Sequence, residues 1–164
     1  MTNNFEITKE FNAPLEIIWD MHTISEYLSN WWGPKGLKVI KCEMDLSPGG
    51  TFHYGLEATD GSKMYGKFVF TEIIAKSQLI YVVSFSDEFK GITRHPLSNN
   101  WPLEVLTTLN FNEKEGKTIL KISGMPINAN AEEEKTFYDN LDGMRQGFKG
   151  TYDQLDDYLL HLNK

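Results

Sequence analysis

Residues 130–162 read NAEEEKTFYDNLDGMRQGFKGTYDQLDDYLLHL, and they decide how the rest of the chain is interpreted. Side chains that suit a buried face recur there at alternating steps of four and three residues, the spacing of one helix face: Phe137, Leu141, Met144, Phe148, Thr151, Leu155, Tyr158 and Leu162. Asn130 suits an N-cap, and Glu133 three residues later suits its capping-box partner. The stretch therefore predicts one long helix from Asn130 to Leu162, which needs a sheet against which to bury its apolar face.

Three glycines lie inside this predicted helix, at Gly143, Gly147 and Gly150. Each costs the helix about 1 kcal/mol relative to alanine, so their presence needs a reason. They could allow close approach to the sheet, leave volume for a ligand or mark a kink. A locally weak, partly exposed helix is the alternative interpretation.

The chain before this helix alternates apolar and polar residues in several short runs separated by turn residues. These runs predict strands at Phe5–Phe11, Leu37–Asp45, Thr51–Glu57, Met64–Ile74, Leu79–Ser86, Leu103–Asn112 and Thr118–Gly124. Two short helices are predicted after the first strand, and residues 87–102 are predicted to be a long loop. Short turns between consecutive strands favour an antiparallel sheet, and helices grouped at the chain ends favour an α+β fold.

The predicted architecture is a single domain over residues 1–164. A curved antiparallel sheet of six to seven strands wraps around the long C-terminal helix, with an apolar hollow between them. The length of 164 residues is enough for a full core, and the apolar content of 40% is that of a folded protein.

Composition excludes several classes of function. The net charge of −7 argues against nucleic-acid binding, which normally needs a basic face. No apolar run approaches the roughly 20 residues of a membrane-spanning helix, and no signal-peptide pattern opens the sequence. Cys42 is the single cysteine, so no intramolecular disulfide can form, which favours a cytoplasmic location.

The segment WWGPKGLKVIKCEMDLSPGGTFHYGL, residues 31–56, carries a resemblance to a known family. Its matching features are the Trp-Trp-Gly-Pro turn and the Asp45-Leu46 pair before Pro-Gly-Gly. Gly66-Lys67-Phe68 and Trp101-Pro102 extend the match, and a long closing helix completes it. The chain resembles the family of the activator of heat-shock protein 90 ATPase, C-terminal-like domain, within the START-like or SRPBCC superfamily.

This resemblance implies a helix-grip fold with an apolar cavity. START-like proteins bind lipids, polyketides, hormones and other hydrophobic molecules, and some catalyse cyclisation or hydration. The chain departs from the family where Met144 follows Gly143 in place of a tryptophan, and where Ser47 replaces an arginine. The co-chaperone that names the family has an additional N-terminal domain. Because this chain begins at its first strand, co-chaperone activity is not expected from the name.

The aromatic residues that alternate toward the hollow are the candidate ligand-binding residues. The predicted lining or mouth residues are Trp32, Phe52, Tyr54, Phe68, Tyr81, Phe85, Trp101, Met144 and Phe148. Their simplest alternative role is to fill a closed core. No catalytic residue, metal or cofactor is predicted.

The polar residues that commonly carry chemistry give no strong signal. The four histidines lack metal-ligand spacing. His53 is expected to face away from the hollow into solvent, whereas His95 could reach the mouth of a pocket. Cys42 is expected to be an inert, buried thiol. Glu43 and Asp45 share a strand face, where solvent exposure is the simpler expectation.

Three functional hypotheses remain open on this basis. The first is a non-catalytic cytoplasmic protein that binds a hydrophobic small molecule, with the 87–102 loop gating entry. The second is a cyclase- or hydrolase-like enzyme that uses Tyr54, Tyr81 or His95. The third is an interaction module for a chaperone or regulator, which would need an exposed apolar patch. The ligand, any protein partner and the choice between monomer and homodimer are left open.

Overall fold

The computed structural model describes residues 5–162, which form one seven-stranded antiparallel sheet with all helices on one face. The strands are β1 (Phe5–Phe11), β2 (Lys38–Met44), β3 (Thr51–Glu57), β4 (Lys63–Ile74), β5 (Gln78–Ser86), β6 (Glu104–Lys114) and β7 (Lys117–Ile127). The helices are α1 (Leu15–Thr23), α2 (Ser25–Leu28), α3 (Ala131–Asp139) and α4 (Leu141–Leu162). The order across the sheet is β1-β7-β6-β5-β4-β3-β2. This arrangement confirms the predicted α+β helix-grip fold.

The strand bounds follow the alternation closely, although β3 has buried residues on both of its faces. The predicted range for β3 is the observed one, and β6 and β7 end two and three residues beyond their predicted C-terminal ends. The register shifts between Val39 and Lys41 and between Phe70 and Glu72, and such bulges bend a strand and increase its twist.

The long C-terminal helix is interrupted, which corrects the prediction of one continuous helix from Asn130. The capping box predicted there is present, with the Asn130 side chain and Glu133 each accepting the other's backbone N–H. Asn140 then has non-helical dihedral angles, and its carbonyl starts α4 by accepting the Met144 N–H at 3.1 Å. The asparagine side chain can satisfy backbone groups outside a helix, which favours a break there.

The three glycines of α4 differ in their surroundings. A Cβ on Gly143 would lie 2.5 Å from Oδ1 of Asn140, so this glycine accommodates the break between the helices. A Cβ on Gly147 or Gly150 would meet nothing within 4 Å. The kink therefore explains Gly143, whereas Gly147 and Gly150 leave space beside the helix.

We expect Gly147→Ala and Gly150→Ala each to raise the free energy of unfolding by about 1 kcal/mol, because alanine restricts the unfolded chain and favours the helix. Gly143→Ala should not give this gain, because its methyl group would collide with the Asn140 side chain. Urea unfolding curves of the three variants would measure the difference. A loss of stability in Gly147→Ala would contradict the open space described beside it.

The core lies between the sheet and the helices, in two clusters. The larger cluster joins α1, α2 and the C-terminal half of α4 to the sheet, and Ile18, Trp31, Phe52 and Leu155 are almost completely buried in it. The smaller cluster is centred on Phe137 of α3.

Candidate functional site

Two adjoining cavities occupy the space between the sheet and the N-terminal half of α4. Their volumes are about 200 Å³ and about 290 Å³. The two cavities share six lining residues: Tyr54, Val83, Phe85, Thr107, Met144 and Phe148. Ligand pockets commonly have this character, a concave and mostly apolar surface with a few polar groups.

The composition of α4 explains why this space is left open. In its C-terminal half, Thr151, Tyr152 and Leu155 are buried against the sheet. In its N-terminal half, Met144 and Phe148 line both cavities, and Gly147 between them adds no side chain. The helix therefore covers the sheet there without filling the volume beneath it.

The Trp-Trp-Gly-Pro turn at residues 31–34 directs its two indoles to different places. Trp31 is buried in the core, where its Nε1–H donates to the Met21 carbonyl at 3.1 Å. The Trp32 backbone N–H donates to the Leu28 carbonyl at 2.9 Å, and the Trp32 ring lines the larger cavity. The turn thus buries the Trp31 indole in the core and places the Trp32 ring in the wall of the larger cavity.

Gly33 is required in this turn for two independent reasons. Its φ of +102° lies in the left-handed region that favours glycine. A Cβ there would also lie 2.9 Å from Leu56 Cδ2. Its carbonyl accepts hydrogen bonds from Thr151 Oγ1 at 3.2 Å and from Gln154 Nε2 at 2.6 Å, so the turn is tied to α4.

A pair of Tyr-Gly dipeptides shapes the sheet beneath the cavities. Tyr54 pairs with Gly66 across β3 and β4, and a Cβ on Gly66 would lie 2.3 Å from the Tyr54 hydroxyl oxygen. The Tyr54 ring therefore lies across β4 at this glycine. On the outer face Tyr65 covers Gly55 in the same way, with a Cβ contact of 2.7 Å to Tyr65 Cε1. An aromatic ring over a cross-strand glycine replaces the packing that the glycine lacks.

The polar groups of the cavities are neutral. None of the described residues that line either cavity is charged. Burial raises the pKa of Tyr54 to about 12, opposed by the nearby Trp32 indole. Burial also raises the pKa of Tyr81 well above its usual value, and the Tyr152 and Tyr54 hydroxyls add to this effect. Both phenols are therefore protonated across the physiological pH range.

The 87–102 loop closes one end of the site and is fastened to α3. Trp101 and Pro102 line the smaller cavity. Arg94 donates to the Trp101 carbonyl at 3.2 Å and forms an ion pair with Glu133. Glu133 is the residue that also completes the capping box of α3. One carboxylate thus holds both the helix start and the loop.

We expect Arg94→Met to release this loop, because the variant removes the charged hydrogen bonds to Glu133 and to the Trp101 carbonyl. Backbone hydrogen exchange over residues 94–101 should accelerate by about tenfold, as measured by mass spectrometry. Lys135→Met is the matched control, since it removes an exposed ion pair with Asp139 on the same helix. Equal acceleration in both variants would contradict a specific role for Arg94.

Most of the predicted ligand-binding residues lie together around the cavities. The exception is Phe52, which is fully buried behind the lining and packs against Trp32, Tyr54 and Phe68. The predicted set omitted many of the lining residues, among them Phe5, Val83, Val105, Thr107 and Phe137 of the smaller cavity. Val83 could have been found from its alternation with Tyr81 and Phe85, since all three share one strand face.

The positions of two histidines can be compared with what the sequence predicted for them. His53 faces away from the cavities but is fully buried, which corrects its expected exposure to solvent. The start of the 87–102 loop covers it, and His53 Nε2 donates to the Asp87 carbonyl at 3.1 Å. His95 packs its ring against Phe85 at 4.6 Å and Trp101 at 6.0 Å, behind the lining rather than in it.

Other candidate groups carry no evident chemistry. Cys42 is half-buried, and burial raises the pKa of its thiol to about 11, which disfavours the nucleophilic thiolate. Within residues 5–162, no three His, Cys, Asp or Glu side chains are grouped so that they could hold a metal ion. No helix in the same range is long and apolar enough to cross a membrane.

Comparison with known proteins supports the fold and its family. The sequence profile described as "Activator of Hsp90 ATPase homolog 1-like protein" matches residues 12–160. Protein Ms6760 from Mycobacterium smegmatis is similar in structure, with 26% identity, a TM-score of 0.74, and 94% of this chain and 88% of that chain covered. An Arthrobacter aurescens protein has 24% identity and a TM-score of 0.75, with coverage of 93% and 83%.

A more distant structural neighbour is the AHSA1 protein from Silicibacter pomeroyi. It has 14% identity and a TM-score of 0.70, with 96% of this chain and 98% of that chain covered. No curated protein matches the chain. The matched architecture is that of a small ligand-binding-type domain.

Proposed function

Because the chain belongs to the Activator of Hsp90 ATPase homolog 1-like family, we propose that it binds a hydrophobic small molecule between its sheet and α4, without catalysing a reaction. The observation that carries this proposal is the pair of adjoining cavities lined mainly by apolar and aromatic side chains. Binding would bury apolar ligand surface at about 25 cal/mol per Å² before entropic costs. We propose that the protein acts in the cytoplasm as a single domain.

The character of the lining favours binding over catalysis. Acid–base chemistry needs a group whose pKa lies near the working pH. The pKa values of Tyr54 and Tyr81 move away from that range, and His95 stands behind Phe85 and Trp101. The polar groups that the enzymatic alternative would use are therefore poorly suited to proton transfer.

The first test is native mass spectrometry of the purified protein, followed by extraction of any bound molecule. Isothermal titration with diphenylmethane, an uncharged and wholly apolar probe, tests the cavity directly. We expect binding by the wild type and at least a tenfold loss in Val83→Phe, because Val83 lines both cavities and a phenyl ring would occupy them.

Val82→Phe is the matched control for this titration. Val82 is the preceding residue on β5, is half-buried and lines neither cavity, since successive side chains point to opposite faces. It should retain the wild-type affinity. The proposal would be contradicted if the purified protein has the mass of the polypeptide alone and does not bind diphenylmethane. It would also be contradicted if Val83→Phe and Val82→Phe lose the same affinity for diphenylmethane.

One observation favours the interaction-module alternative. Phe89 and Leu97 of the 87–102 loop are 84% and 91% exposed, which is unusual for such large apolar side chains. If the cavity binds no probe, pull-down experiments that compare the wild type with a Phe89→Ser, Leu97→Ser double variant would test this surface.

A further inference from the structure

Thr107 of β6 places a hydroxyl group in the wall that the two cavities share. Val105, Leu109 and Phe111 are buried on the same face of this strand, so Thr107 is a polar residue on an otherwise apolar face. Its side chain lines both cavities. A valine would have nearly the same shape and would avoid the cost of burying a hydroxyl. The hydroxyl therefore needs a reason other than packing.

The Thr107 hydroxyl is free of protein partners and open to the cavities. No hydrogen bond joins it to any of residues 5–162. Its Oγ1 atom is also not one of the fully enclosed side-chain atoms that lack a partner in that range, so the oxygen keeps accessible surface. Because Thr107 is only 5% exposed and lines both cavities, that surface faces the cavities. A hydroxyl in this place can either donate or accept a hydrogen bond.

The neighbouring strand leaves room beside this oxygen. Thr107 pairs with Gly124 of β7, which lines the smaller cavity. Thr107 Oγ1 lies 3.9 Å from the point where a Cβ on Gly124 would stand. Because glycine has no side chain, a ligand atom can approach the hydroxyl from that side.

The surroundings of the hydroxyl carry no charge. Neither cavity is lined by a Lys, Arg, His, Asp or Glu side chain from the described part of the chain. An unpaired charge moved from water into such a space is strongly disfavoured. The ligand group that meets Thr107 should therefore be an uncharged hydroxyl or carbonyl rather than a carboxylate or phosphate.

We propose that Thr107 is a specificity-determining residue, whose hydroxyl forms a hydrogen bond with an uncharged carbonyl or hydroxyl oxygen of an otherwise apolar ligand. This inference rests on the proposed binding function and narrows its ligand class. Specificity arises because a wholly apolar ligand would remove the Thr107 hydroxyl from water without supplying a partner. A polar group left unpaired in this way discriminates against ligands that lack the matching group.

The test uses four probes that share one diphenyl frame. Diphenylmethane has no oxygen, benzophenone carries a carbonyl, diphenylmethanol carries a hydroxyl, and 4-benzoylbenzoate adds a carboxylate to benzophenone. We expect at least one of the two neutral oxygenated probes to bind the wild type about fivefold to tenfold more tightly than diphenylmethane, the gain of one hydrogen bond. The carboxylate probe should bind most weakly. Isothermal titration gives the four dissociation constants, and the better neutral probe identifies the kind of oxygen.

Thr107→Val removes the hydroxyl and keeps the branched shape of the side chain. This variant should bind the better oxygenated probe about fivefold to tenfold more weakly than the wild type does, and it should bind diphenylmethane at least as tightly. Thr108→Val is the matched control, because Thr108 is the next residue on β6, is half-buried and lines neither cavity. It should keep the wild-type affinity for every probe.

The stability of the free protein separates a binding role from a structural one. Without a probe, Thr107→Val should be at least as stable as the wild type, because a methyl group replaces a hydroxyl that has no partner. Urea unfolding of both proteins measures this. A clear loss of stability in Thr107→Val would show that the hydroxyl supports the fold, and it would overturn the assignment.

The outcomes also separate the two proposals. If no probe binds, the binding function fails and the ligand class fails with it. If diphenylmethane binds the wild type as tightly as both neutral oxygenated probes, hydrophobic binding stands and the role of Thr107 is overturned. The same conclusion follows if the preference for oxygen survives in Thr107→Val or is lost equally in Thr108→Val. Tightest binding by 4-benzoylbenzoate would overturn the inference of a neutral ligand.

Discussion

Lowering the pH from 7 to 4 should cost the protein about 3 kcal/mol of unfolding free energy through His22 alone. This side chain is buried between α1 and α4, with Nδ1–H donating to the Ile18 carbonyl at 2.8 Å and Nε2 accepting from the Tyr152 hydroxyl at 3.0 Å. Burial lowers the pKa of His22 from 6.5 to about 4, and the hydrogen bond to Ile18 opposes this shift only partly.

The direction of the effect follows from proton uptake by the two states. Between about pH 6.5 and pH 4 the unfolded chain binds a proton at His22, whereas the folded protein does not. The contribution is therefore fully present above pH 6.5 and is lost as the pH falls, by about 1.4 kcal/mol per unit. Urea unfolding at a series of pH values would measure the slope.

The contribution of His22 is isolated by comparing variants. His22→Gln should flatten the slope relative to the wild type between pH 6.5 and pH 4, although its stability at pH 7 is expected to be lower. His161→Gln, which replaces an exposed histidine in the last turn of α4, should keep the wild-type slope. An unchanged slope in His22→Gln would show that other groups dominate the acid response.

Gly66→Ala should both destabilise the protein and block the cavities. The added methyl group would collide with the Tyr54 ring, whose hydroxyl oxygen lies 2.3 Å from the Cβ position. Overpacking of this kind typically costs about 1 to 3 kcal/mol. Because Tyr54 lines both cavities, its displacement should also weaken diphenylmethane binding by more than tenfold. Urea unfolding and isothermal titration measure the two effects.

Gly55→Ala is the matched control, since it makes the same substitution on the opposite face of the sheet. Its methyl group would lie 2.7 Å from the Tyr65 ring, on the side away from the cavities. This variant should lose stability by a similar mechanism and retain probe binding. If both variants weaken binding equally, the loss reflects general destabilisation rather than the position of Tyr54.

Sequence patterns predicted the elements because their causes are local. The Asn130 and Glu133 capping box is formed by residues three apart, and it is present as predicted. Strand β3 has its predicted bounds because residues 51–57 alternate between apolar and polar side chains and turn residues flank them, although the structure buries both faces of this strand. The same alternation placed Tyr54, Tyr81 and Phe85 on the face that lines the cavities, although it could not distinguish lining from core. Phe52 shows this limit, since it shares that face and lies behind the lining.

The features that the sequence did not reveal depend on residues that are distant along the chain. His22 meets Tyr152 only because α1 and α4 pack together, and His53 is buried only because the turn after β5 folds over it.

The sequence by itself therefore determined the order of the strands and helices and most of their bounds, because these follow from periodicity and from capping within a few residues. The break of the C-terminal helix at Asn140 is the exception. The tertiary structure alone decided where that apolar surface closes into core and where it leaves a cavity. That outcome depends on where large side chains such as Phe137 and Leu155 pack, each in a different core cluster, and on the space left where Gly147 contributes no side chain.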